Sequence, residues 1–312
     1  MRTVSSSGNV QCLAVRMMRS PTSTPEQPPT CTTQRDERSI AIRCPSTGTN
    51  VTGAKHGMGI SHTQRRIAIH AAEIIAVCDQ CGIAARDAGL GNKLHVITNG
   101  VDLPRLGTPT TREEVRQRWG IGDSRAIGMV ARWSDEKNPM ATAHAVNALG
   151  PEFTAIYCGP QMRNNAAGVP ADHKRQAEEL TCGRIVWDYT DDPGGVYRAL
   201  DCLIVSSRHE GAPLVALEAM ACGCPVVTTP VGSMPELERE FPGSLIFVPK
   251  HPTGEQLAAA VQEALSDRHQ SRLPAIRDHI LKFHTTQRMV AEWETIFTAA
   301  LRNTHPTVPA SH

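Results

Sequence analysis

Residues 201–229 read DCLIVSSRHEGAPLVALEAMACGCPVVTT. A short apolar run (CLIVSS) leads into a glycine-bearing loop (RHEGA), then into a stretch from Pro213 to Cys222 that is apolar but for one glutamate. Gly223 closes that stretch, and a second apolar run (CPVVTT) follows. Runs of four to eight apolar residues bounded by turn signals read as buried strands, and the longer segment between them as a helix. Outward from this unit the same alternation continues. Upstream lie TREEVRQRWG (helix), RAIGMVAR (strand), PMATAHAVNAL (helix), TAIYCG (strand), RIVWDY (strand) and a short helix around 194–200; downstream comes the helix GEQLAAAVQEALSD. Strands alternating with helices predict a parallel sheet with helices on both faces, an α/β doubly wound domain. Residues 107–280 are long enough for one complete domain of this type, whereas 63–101 supply only two strands (EIIAVC and KLHVITNGVD) around the helix QCGIAARDAGL.

The totals narrow the function classes. A formal charge of +1 over 312 residues, with no long basic run, leaves no electrostatic footprint for nucleic acid. No stretch reaches the roughly eighteen consecutive apolar residues of a membrane span. The ten cysteines are scattered through strand-like and helix-like segments with no secretory signal ahead of them, and read as reduced thiols of a cytoplasmic protein. Of the two close pairs, Cys78/Cys81 and Cys222/Cys224, neither has the second pair that a structural zinc site requires, so no metal is expected. Residues 1–62, with SPTSTPEQPPTCTTQRDERS at 20–39, lack periodicity and are rich in Ser, Thr, Arg and Pro; disorder or a start assigned too far upstream is expected, ahead of a targeting segment. The final helix, 285–302, repeats Met289, Val290, Trp293, Ile296, Phe297, Ala300 and Leu301 at helical spacing and must dock one face on something. A tail follows from 304 to 312.

Ligands of open α/β sheets bind beyond the carboxyl ends of strands, at the starts of the following helices. Three segments fall in such places. In the first, Pro213 sits at an expected first helical position, and the backbone N–H groups of Gly211, Ala212, Leu214 and Val215 face an anion at the helix start. Glu218, one turn on, shares a face with Leu214 and Ala221. Its two acceptor oxygens suit the hydroxyls of a ribose, although on spacing alone a half-exposed or arginine-paired glutamate is the plainer reading. In the second, Arg132 leaves a strand and Lys137 precedes a helix opened by Asn138-Pro139. Cations there oppose the helix dipole and make sense around a diphosphate, with two surface cations as the alternative. In the third, the backbone of Asp188, Tyr189 and Thr190 meets a base edge, or is merely a strand exit.

In order along the chain, VITNGVD (96–102), VARWSDEKNP (130–139) and SSRHEGAPLVALEAMACGCPVVTTPVGSMPEL (206–237) resemble three signatures of the family 4 (group 1) retaining glycosyltransferases of GT-B fold, over about residues 64–303. These are the interdomain hinge, the Arg…Lys diphosphate clamp and a pair of glutamates separated by seven residues. The resemblance implies one complete Rossmann-like donor domain (103–285), a truncated N-terminal Rossmann-like portion with the hinge (63–102), and a crossing helix (286–303). It implies that Arg132 and Lys137 neutralise the diphosphate of a UDP-, GDP- or ADP-linked sugar. Glu218 would then hold the ribose, Glu210 would act as the catalytic-site carboxylate beside the transferred sugar, and Gly211 to Val215 would bind phosphate and sugar. No metal or other cofactor is implied.

Ala131 and Asp188 stand where the family usually has glycine, and none of His56, His62 and His70 matches its catalytic-site histidine. The implied activity is sugar transfer with retention to a glycan, lipid or small-molecule acceptor, in cell-envelope or polysaccharide synthesis, with peripheral attachment to the inner membrane face and oligomeric state left open. The other reading is a non-catalytic nucleotide-sugar-binding remnant, or a donor half needing a partner. A dinucleotide oxidoreductase ranks last, since no G-x-G-x-x-G follows an early strand.

Overall fold

The computed structural model describes residues 73–304; residues 1–72, with His56, His62 and His70, and the tail 305–312 lie outside them. The chain divides into two compact units, Thr98–Trp293 and the remainder on either side of it.

In the smaller unit β1 (Ile74–Ala76) pairs in parallel with β2 (Leu94–Val96), Ile74 opposite Leu94. A parallel pair needs a crossover, and the helix Asp79–Asp87 supplies it. Ile74, Ala85 and Leu90 form its buried cluster, with Leu94 packed against them. His95 Nε2 lies 2.9 Å from Glu73 Oε2 at the strand ends.

The larger unit holds a six-stranded parallel sheet made of β3 (Arg125–Val130), β4 (Phe153–Cys158), β5 (Ile185–Asp188), β6 (Cys202–Val205), β7 (Val226–Thr228) and β8 (Ile246–Phe247). The strands lie in the order β5-β4-β3-β6-β7-β8. Every residue of β4, β6 and β7 is buried, which is why their sequences run apolar without alternating. Successive side chains go to opposite faces. Ala126, Ile156, Leu203 and Val226 join one hydrophobic cluster with Tyr197, Met220 and Ile280. Their neighbours Ile127, Ala155, Ile204 and Val227 join a second with Trp133, Tyr157 and Leu257. Helices therefore cover both faces, and the fold is α/β with a doubly wound parallel sheet.

Local rules set the helix ends. Thr111 forms a capping box with Glu114 ahead of the helix Arg112–Trp119, and Gly120 closes it in the left-handed region at φ 66°. A second capping box, Thr253 with Gln256, opens Gly254–Ala264. The short helix expected near 194–200 is Pro193–Ala199. The described cysteines are free thiols. Among the described residues no helix is long and apolar enough to cross a membrane.

Two expectations shift. The boundaries placed at 102/103 and 285/286 fall at Ile97/Thr98 and Trp293/Glu294. The hinge residues are tied into the larger unit. Val101 N donates to His284 O (2.8 Å) and Thr286 N to Val101 O (3.1 Å). Gly100 lies so close to this strand-like contact that a Cβ there would be 2.2 Å from Thr285 O. The last helix, Thr286–Thr304, also differs from its pattern. Met289, Trp293, Ile296 and Phe297 are half-buried and Ala300 is buried, but Val290 is exposed because it lies to one side of that stripe.

Candidate functional site

The strand order reverses between β3 and β6. From β3 the chain winds outward through β4 to β5; from β6 it winds the other way through β7 to β8. In open parallel sheets a ligand crevice forms beyond the carboxyl ends of the strands at such a switch point, because the two connections leave in opposite directions. The segments that leave β3 and β6 are 131–139 and 206–213, two of the three stretches singled out in the sequence.

Backbone and side chains lock these segments together. Ser206 Oγ donates to the carbonyls of Lys137 (3.1 Å) and Asn138 (3.0 Å), and Arg208 N donates to Glu136 O at 2.8 Å. Lys137 ends the turn Asp135–Lys137, and Asn138 then adopts the left-handed conformation at φ 50° before the helix Met140–Leu149 begins. Lys137 is buried rather than on the surface, and its ammonium is ion-paired with Glu210. The Glu210 side chain is 2% exposed, and its Oε1 also accepts from Ser207 Oγ at 2.7 Å. A buried charge of either sign is tolerable only with such a partner. Arg132 is exposed and has no hydrogen bond or ion pair to a described residue. Lys137 and Glu210 are thus brought together, and Arg132 stands apart as an open cation.

The helix after β6 is Leu214–Ala221, with Pro213 as its cap at φ −70°, ψ 100° rather than its first residue. The reason lies in ψ: proline fixes only φ, and this extended ψ keeps Pro213 outside the helix while its carbonyl takes the Ala216 N–H at 3.1 Å. Among the described residues none accepts from the N–H groups of Gly211, Ala212, Leu214 or Val215. The loop is braced from two sides. Asn99 Nδ2 donates to Ala212 O (3.1 Å), and Ser233 N donates to Gly211 O (2.9 Å). Gly232, at φ 54°, passes so near that a Cβ would lie 2.1 Å from Gly211 O.

Glu218 is buried on this helix. Its Oε2 accepts from the Tyr197 hydroxyl at 2.7 Å, and its Oε1 lies 3.6 Å from Arg105 Nη1. Burial, reinforced by the Glu218 charge, pushes the Tyr197 phenol well above its ordinary range, so it stays a donor. The arginine pairing open from spacing is therefore present, together with a tyrosine contact that spacing did not indicate. Tyr197, Arg105, Ser207 and Asn99 are site neighbours that sequence reasoning missed. Only Asn99 carried a signal, through the Asn-Gly turn.

At the end of edge strand β5, Asp188 Oδ2 accepts from Arg118 Nη2 (2.9 Å) and Trp119 Nε1 (2.8 Å). Its side chain ties β5 to the helix Arg112–Trp119. Tyr189 donates to Asp191 (3.1 Å), with the Arg163 guanidinium 3.8 Å over its ring, and Thr190 Oγ1 accepts from Asp192 N. These contacts hold the loop; the side chain of Asp188 is already engaged.

A six-stranded parallel sheet with helices on both faces, its strand order reversing between β3 and β6, defines the class, a Rossmann-like domain. Comparison with known proteins gives the family. The profile of the glycosyl transferases group 1 family matches residues 111–277, more than half of the chain, and the chain belongs to that family. D-inositol 3-phosphate glycosyltransferase of Corynebacterium jeikeium is 34% identical over 155 residues, 46% of this chain and 36% of that protein. The lipopolysaccharide core biosynthesis mannosyltransferase LpsB of Rhizobium meliloti is 32% identical over 148 residues, 46% of this chain and 42% of that protein. The chain spans about half or less of the length of these curated relatives. Among solved structures, Anabaena HepE in complex with UDP and glucose superposes with a TM-score of 0.66 over 77% of this chain and 67% of that one, at 21% identity. Its fold, and that of the other glycosyltransferases this chain resembles, is GT-B.

Proposed function

We propose that this chain binds a nucleotide sugar in the crevice beyond β3 and β6, and that the whole protein transfers the sugar to a glycan, lipid or small-molecule acceptor with retention of configuration. The observation that carries this reading is the meeting of Lys137 and Glu210 at the switch point, beside the open N–H groups of Gly211 to Val215. When the bond from the sugar C1 to the diphosphate breaks, its electron pair stays on the phosphate oxygen. The developing charge is met by Arg132, Lys137 and the amides at the start of Leu214–Ala221, which need no reorganisation at that moment. Glu218 accepts from the ribose hydroxyls, held in place by Tyr197 and Arg105. Glu210, fixed by Lys137 and Ser207, sits beside the transferred sugar and favours positive charge at C1. The main chain of Asp188 to Thr190 meets the base, the Asp188 carboxylate being occupied by Arg118 and Trp119. Crystals of Anabaena HepE hold UDP and glucose, which supports a nucleotide-sugar donor. With cations and amides to neutralise the diphosphate, the reaction proceeds without a metal at this site, in the cytoplasm or at the inner face of the membrane.

Calorimetric titration with UDP, GDP and ADP tests the donor site. One of the three binds the wild-type chain, and R132A and E218A each weaken it at least tenfold. Unchanged affinity in both variants would exclude this crevice as the donor site.

A further inference from the structure

Outside the crevice, three side chains converge where the helix Met234–Glu240 meets the helix Leu273–Phe283. Glu240 is the last residue of the first helix, His279 lies within the second, and His284 caps it. Residues five apart do not face one way on a continuous helix. The rings converge only because His284 has left helical geometry, at φ −122°, ψ 49°. His279 Nε2 lies 3.0 Å and His284 Nε2 3.3 Å from the same oxygen, Glu240 Oε1. One ligand atom from each of the three residues fits within a span of 4.8 Å.

The second observation concerns His284 alone. It is 5% exposed, and neither Nδ1 nor Nε2 has a hydrogen-bond partner, despite the nearby carboxylate. Buried polar groups are nearly always satisfied, and an orphaned ring aimed at a carboxylate and a second imidazole asks for another partner. Tetrahedral zinc, with ligands at about 2.0–2.1 Å, places neighbouring ligand atoms about 3.3–3.4 Å apart. The separations of the two Nε2 atoms from Glu240 Oε1 lie close to that edge.

We propose that Glu240, His279 and His284 form a site for a borderline divalent cation of the zinc class, with water as the fourth ligand. Two imidazoles and a carboxylate suit zinc better than calcium or magnesium, which prefer all-oxygen shells. The surroundings are those of a metal shell. Phe241 stacks on His279 with centroids 4.6 Å apart, and Phe283 lies 4.9 Å away on another side. Arg288, on the following helix, has its charge met by both carboxylate oxygens of Glu292, at 2.9 and 3.0 Å. A bound ion would clasp the ends of two helices one residue from the Val101–Thr285 bridge and hold the hinge segment against the start of the last helix.

Zinc titration of the whole chain, with Co²⁺ as a spectroscopic probe, tests the site. One Zn²⁺ binds per chain. E240Q, at a half-exposed position, and H279Q each weaken it at least tenfold while keeping wild-type circular dichroism. The Co²⁺ adduct shows ligand-field bands without thiolate charge transfer, which separates this site from the free cysteines. Added Zn²⁺ raises the melting temperature of the wild type but not of E240Q. Absence of binding, unchanged affinity in both variants, or a cobalt spectrum carried by thiolate would overturn the proposal.

Discussion

Lys137 and Glu210 show how a single contact can organise a site. Each is buried, and neither charge is tolerable without the other. Removing one partner of a buried pair leaves an uncompensated charge, at a cost of about 3–5 kcal/mol. K137M is therefore expected to lower unfolding stability in urea by about 3 kcal/mol or more, and E210Q in the same chain to restore a large part of it. If the double variant is as unstable as the sum of the two single ones, the pair is not coupled. Glu218 teaches the opposite lesson. Its pattern in the sequence suits a ribose holder, but its structural partners, Tyr197 and Arg105, come from two other segments of the chain. No local spacing could have named them, because the pairing depends on how Pro193–Ala199 and the one-turn helix Leu103–Leu106 pack beside Leu214–Ala221.

At the scale of elements, the loop ahead of Leu214–Ala221 depends on its neighbour after β7. Gly232 occupies the left-handed region and passes within a Cβ's reach of Gly211 O. Alanine there suffers twice, from a strained backbone and from a clash with main chain that cannot swing aside. G232A is expected to cost about 1–3 kcal/mol in thermal or urea unfolding. By displacing Gly211 it should also weaken nucleotide binding, as read by calorimetry. A variant with wild-type stability and affinity would show that the loop has room to move. The helix starts have local causes: Thr111 with Glu114, and Thr253 with Gln256, sit at capping-box spacing. The sequence reads Pro213 as a first helical residue because φ, the angle proline fixes, is shared by caps and helices, and only ψ tells them apart.

For the larger unit as a whole, the buried histidine His269 sets a pH dependence. Burial first, then the Arg272 charge, hold its imidazole below the ordinary range, against the opposite pull of Glu263 and Glu238. A group whose folded pKa is depressed stabilises the fold fully above its unfolded pKa, about 6.5 for histidine, and loses that contribution as the pH falls below it. The melting temperature should therefore fall as the pH is lowered from about 7.5 to 5.5, and H269N should flatten that fall; an equally steep fall in H269N would assign it elsewhere. The alternation of apolar runs and helices determined the parallel doubly wound sheet by itself, since each fully buried strand must be continuously apolar and each crossover must be helical. It also placed residues 131–139 and 206–215 at strand ends, where ligands of open parallel sheets bind. Tertiary structure alone decided that those two loops meet at the reversal between β3 and β6, that Lys137 turns inward to Glu210 while Arg132 stays open, and that Glu240, His279 and His284 converge. Strand order and helix packing join residues far apart in the chain, and local periodicity carries no record of which element lies beside which.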